Sequence, residues 1–165
     1  MSSRSTQTSL TPAPFASPRF WVNRLPNPWL SNCMDLGMKK TLPLTWEAAL
    51  EAVPAALKTE GFGVLTRIDV QATLKEKLGV DFRRYTILGA CNPTFAHRAL
   101  TQRLDVGLLL PCNVVLHESD DRKSVELLVI DPMQTMASVL GEAFNALAGE
   151  VRSKLARVVA HLPGK

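Results

Sequence analysis

The 165-residue chain is 46% hydrophobic and 21% charged, a balance that suits one globular domain with a full core. Its formal net charge of +4 sits in residues 1–44, where Arg4, Arg19, Arg24, Lys39 and Lys40 accompany a single acid, Asp35. The rest of the chain is balanced, with no basic stripe interleaved with aromatics, and this disfavours nucleic acid as a partner.

Residues 1–34 carry Pro12, Pro14, Pro18, Pro26 and Pro28 among many Ser, Thr and Asn, with no sustained period. They read as a disordered extension, and residues 35–165 as a single domain. Order is expected from Leu36, with a strand through Leu42. Thr45 then caps a helix whose stripe is Leu50, Val53 and Leu57, with Pro54 placed to kink or split it. Phe62 to Ile68 alternates as a strand, Asp69 caps a helix over Val70 to Leu78, and Gly79 stops it.

A buried strand then ends at Cys91, and Asn92-Pro93 opens a helix that runs to about Leu104. Val106 to Glu118 reads as a long apolar strand bulged at Pro111, paired through the polar turn after Glu118 with a strand over Val125 to Ile130. Finally Asp131-Pro132 starts a helix with Met133, Met136, Leu140, Phe144, Leu147, Val151, Leu155, Val158 and Leu162 on one stripe. That stripe keeps phase through Gly141 and Gly149, which predicts one long helix to the end. The expected class is α+β: a small, mainly antiparallel sheet of four or five strands with helices on one face and a long C-terminal helix.

Several stretches together resemble the domain-of-unknown-function family 302: Glu60-Gly61-Phe62-Gly63-Val64-Leu65-Thr66, Leu74-Lys75-Glu76-Lys77-Leu78-Gly79, Ile87-Leu88-Gly89-Ala90-Cys91-Asn92-Pro93 and Leu110-Pro111-Cys112-Asn113-Val114. The resemblance covers roughly residues 36 to 161. It implies a compact α+β domain that tends to form homodimers, and it implies no established activity.

The chemistry-bearing residues gather at two Cys-Asn pairs. Cys91 precedes a helix N-terminus, whose positive end favours thiolate, and Cys112-Asn113 repeats the theme in the next strand. The first reading is a binding module for a small molecule or anion, with Cys91, Asn92, His97, Arg98, Cys112 and Asn113 lining the pocket. The alternative is a thiol-dependent oxidoreductase or transferase using Cys91 and Cys112. The plainest reading is a structural homodimeric domain without a ligand, in which the asparagines only cap. No CxxC or HxxxH spacing marks structural zinc, although Cys91, Cys112 and His97 form a three-ligand set for a soft metal if the two strand ends meet. No pattern names a cofactor.

Three cysteines make no even disulfide framework, no secretory h-region precedes a cleavage-like site, and the apolar stretch Val106 to Leu116 is too short to span a bilayer. A cytoplasmic protein without a membrane span is expected.

Overall fold

The computed structural model describes residues 36–164. The expected disordered extension, with Trp21, Trp29 and Cys33, lies outside the described residues. Five strands, β1 (Gly37–Leu42), β2 (Gly63–Asp69), β3 (Tyr85–Cys91), β4 (Cys112–Glu118) and β5 (Val125–Ile130), form one sheet in the order β1-β5-β4-β3-β2. Every neighbouring pair is antiparallel. The fold is α+β, as expected.

Alternation along the strands decides what each face does. Leu88 and Ala90 of β3, Val114 and Leu116 of β4, and Val125, Leu127 and Val129 of β5 are buried on one face. Against it pack α1 (Trp46–Thr59), through Ala49, Val53 and Leu57, and the long C-terminal helix α5 (Asn145–His161), through Val151, Leu155 and Val158. The opposite face carries Ile68, Ile87, Val115 and Leu128 in one register row, each half-buried or exposed. Edge strand β2 has no buried residue, although Phe62, just before it, is in the core.

Local capping matches the sequence chemistry. Thr45 Oγ1 accepts from Ala48 N at 3.2 Å, and Asp69 Oδ1 accepts from Ala72 N at 2.9 Å to start α2 (Val70–Leu78). Of the two outcomes expected at Pro54, a split does not occur, and α1 runs through it. One missing N–H is a local loss, and the burial of Val53 and Leu57 on either side of it outweighs that loss.

Two elements differ from the sequence reading. The expected strand from Val106 is a 3-10 helix over Leu104–Leu109, and β4 starts only at Cys112. Val106 is fully buried while Leu104 and Leu108 project into solvent, 83% and 89% exposed, so this apolar run serves a short helix of about two turns rather than a ladder. Pro111, which has no N–H to give a ladder, marks the boundary, and the Leu110–Pro111 peptide is cis. The helix after Asp131 is also not continuous. A π-helical turn (Met133–Ala137) leads into α4 (Ser138–Leu140), then Gly141 at φ 83°, ψ −172° breaks the path, and a 3-10 turn (Glu142–Phe144) precedes α5. That backbone region is open essentially to glycine alone. The stripe residues nevertheless reach the core: Met136, Phe144, Leu147, Val151, Leu155, Val158 and Leu162 are all buried. Most of the stripe is therefore consumed within the domain, with Met133 and Leu140 half-buried. No helix among the described residues is long and apolar enough to cross a membrane.

Candidate functional site

The antiparallel pairing of β3 with β4 brings the two Cys-Asn pairs together, because the end of one strand lies beside the start of the other. Cys112 pairs with Ala90, the residue before Cys91. Asn92 leaves the strand in an extended conformation, and its Oδ1 accepts from Thr94 N at 3.1 Å to cap α3 (Pro93–Gln102). Its Nδ2 donates to the Glu60 carbonyl at 3.4 Å, so one donor and the oxygen of the amide serve the local structure. Glu60 is itself clamped by Arg157 at 2.8 Å and by Lys154 at 3.4 Å, and the Arg157 guanidinium holds its carboxyl at about 2. These bonds tie the end of α1, the start of α3 and helix α5 around one point.

Beside that point is a cavity. Phe62, Ala90, Cys91 and Asn92 form one wall, Phe95, Ala96 and Ala99 of α3 a second, and Cys112 with Leu110, Met136, Leu147 and Val151 the rest. The space open to the centre of a water-sized sphere is about 20 Å³. A single water needs roughly 10–15 Å³ of such space, so the cavity as it stands has room for a body of one or a few atoms. Apart from the two thiols, the Met136 thioether and the committed Asn92 amide, its side chains are hydrocarbon.

Of the six residues expected at the site, Cys91, Asn92 and Cys112 border this cavity, whereas His97, Arg98 and Asn113 do not. His97 and Asn113 are exposed. Arg98 makes a two-pronged ion pair with Glu150, both bonds 2.8 Å, and lies over the Phe95 ring at 5.6 Å, which pins α3 to α5 from outside. Cys91, Cys112 and His97 are therefore not one ligand set. Among the described residues no three His, Cys, Asp or Glu side chains group as a metal would need.

Burial pushes the Cys91 thiol up from its ordinary value. The more deeply buried Cys112 is pushed up to about 11, by burial first and by the charge of Cys91 second. Both are free thiols. Met136, Phe95 and Phe62 were not legible as site residues, since an apolar cavity wall and a core stripe have the same composition.

A wider, polar groove lies where the β4–β5 turn meets the start of α1, bordered by Thr45, Glu47, Arg84, Glu118 and Arg122. Two of its cations face acids: Arg84 pairs with Glu47 at 2.9 Å, and Arg122 lies 4.0 Å from Glu118, while Lys123 also borders it.

The family model described as Domain of unknown function DUF302 matches residues 38–162. The crystal structure of an uncharacterized conserved DUF302 protein from Bacillus stearothermophilus is similar at 27% identity and a TM-score of 0.72, covering 79% of this chain and 100% of that one. No curated protein matches the chain.

Proposed function

Because the chain belongs to the DUF302 family, whose description assigns no activity, we propose its function from the cavity: a binding module for a ligand of one or a few atoms, held against Cys91 and Cys112. The observation that carries this reading is one small apolar space bordered by two free cysteines and by no charged side chain. A recess without a cation does not favour an anion, since a desolvated charge needs a partner. Thiols pushed up by burial are protonated at neutral pH, which favours binding over nucleophilic catalysis. Free thiols in this state suit a reducing, cytoplasmic setting.

Size-selective labelling tests the reading on the full-length C33S chain, which keeps only these two thiols. Methyl methanethiosulfonate, which adds one methylthio group, should modify Cys112 in the folded protein, more slowly than Cys91. A biotin-linked maleimide should leave Cys112 untouched until the chain is unfolded. If neither reagent reaches Cys112 before unfolding, the cavity is closed to ligands and the reading falls. Equal reaction with both would make it an open surface.

We also propose that two copies associate through the sheet face bearing Ile68, Ile87, Val115 and Leu128, since this row is apolar across four strands and only half-buried or exposed. Sedimentation should give a dimer at about tens of micromolar, where weak dimers persist, and Leu128→Asp should give a folded monomer. A wild-type monomer at that concentration excludes the association.

A further inference from the structure

We infer that the groove between the β4–β5 turn and the start of α1 is a second ligand site, for a free α-amino acid, with Glu118 taking its ammonium group and Arg122 and Lys123 its carboxylate. The groove lies at the opposite end of β3 from Cys91 and is independent of the small cavity there.

The strand pattern marks the place. Leu42, Val125 and Glu118 succeed one another across β1, β5 and β4, and Glu118 N donates to the Arg84 carbonyl at 3.0 Å, which continues the row to the residue before β3. Leu42 and Val125 are buried under the helices, at 0% and 2% exposure, so the same row turns Glu118 and Arg84 toward the helix side. Charge at positions that alternation assigns to the core breaks the pattern of the other rows, and such breaks concentrate at functional sites. Here the break coincides with open space of about 310 Å³, at the lower end of the range for small-molecule sites.

The charges in this space are not spent on one another. Arg84 gives its Nη1 to Glu47 at 2.9 Å. Glu118, its side chain only 19% exposed, has Arg84 Nε at 3.9 Å and Arg122 Nε at 4.0 Å, both beyond hydrogen-bond reach. Its carboxylate accepts no hydrogen bond among the described residues, and a carboxylate so enclosed calls for a donor. Opposite it, Arg122 has no nearer acid among the described residues, and Lys123 makes no ion pair there, although Asp121 feels its charge. An ammonium group answers Glu118 and a carboxylate answers Arg122 and Lys123, so one molecule carrying both adds no net charge to the groove. The 4.0 Å between Glu118 and Arg122 requires that the ligand's two charges sit on adjoining groups, as they do in an α-amino acid. Leu44 and Trp46, half-buried on the wall, favour an apolar side chain.

The test is a titration of the full-length chain with L-leucine, followed by amide proton–nitrogen correlation spectra. Signals of residues 44–47 and 122–125 should shift and saturate, with a dissociation constant of about 1 mM or tighter. Isocaproate, which lacks the ammonium group, and isoamylamine, which lacks the carboxylate, should each bind at least about tenfold more weakly. Glu118→Gln and Lys123→Ala should each lose at least about tenfold in affinity for L-leucine, while Glu118→Gln leaves the weak binding of isocaproate unchanged. Lys123 is exposed on a turn, so its variant keeps the fold and reports on binding alone. No saturable shift of these signals up to about 10 mM L-leucine, equal affinity for L-leucine and isocaproate, or full affinity in Glu118→Gln overturns the inference.

Discussion

Phe144→Ala should lower the midpoint of thermal unfolding by at least about 10 °C, as followed by circular dichroism, since it removes about 3–5 kcal/mol from the domain. Phe144 is 1% exposed and sits at the centre of the smaller core cluster with Ala99, Val106, Met136, Ala137, Leu147 and Ala148. Its position is set by the break at Gly141, whose carbonyl accepts from Phe144 N at 3.1 Å. A loss of that size is a large fraction of the 5–15 kcal/mol or so that holds a domain of this kind together. The consequence reaches the site, because Ala99, Met136 and Leu147 belong to that cluster and also border the cavity. With the ring removed, Met136 has room to turn into the space left behind. A midpoint shift of less than about 3 °C would mean that the smaller cluster contributes little to folding.

How much of this was legible in the sequence depends on the range of the interactions involved. Asn92-Pro93 and Asp131-Pro132 are local signals, and both start helical segments in the structure: Thr94 N donates to Asn92 Oδ1, and Met133 N donates to Asp131 Oδ1 at 2.9 Å. The β4–β5 hairpin follows equally from an apolar, polar, apolar succession over about twenty residues. The break at Gly141 was hidden because Leu140, Phe144 and Leu147 keep helical spacing, and a spacing rule does not see φ 83°. The 3-10 helix before Cys112 was hidden for a similar reason. Val106 to Leu110 is apolar almost throughout, and only tertiary packing decides that Val106 goes in while Leu108 stays out. At the site, strand adjacency could place Cys91 and Cys112 on neighbouring strands, as β3 and β4 are. Arg98 looked free in the sequence because its partner Glu150 lies on a different helix, more than fifty residues away.

Gly89→Val should destabilise the domain by about 1–3 kcal/mol through overpacking and also abolish the size selection at Cys112. Gly89 is buried in β3, flanked by Thr66 of β2 and Asn113 of β4 in the ladders. A Cβ there would overlap Thr66 Oγ1 and stand 2.6 Å from Pro111 Cγ. The threonine can rotate away, but the proline ring is tied to its own backbone and cannot. Relief must therefore come from displacing the start of β4, and the next pair in that register is Ala90 with Cys112. The end of β3 and the start of β4, which carry Cys91 and Cys112, would part there. Gly63→Ala is the internal control, since it lies beside Cys91 in the same sheet and its Cβ would meet nothing nearer than the Cys91 carbonyl oxygen at 3.9 Å. That variant should unfold at the urea midpoint of the C33S parent chain and still exclude the biotin-linked maleimide from Cys112. Gly89→Val, also built on the C33S chain, should unfold at lower urea and admit both reagents at Cys112 while still folded. Equal stability and equal labelling of the two variants would show that the approach of Pro111 to Gly89 does not hold the thiols in place.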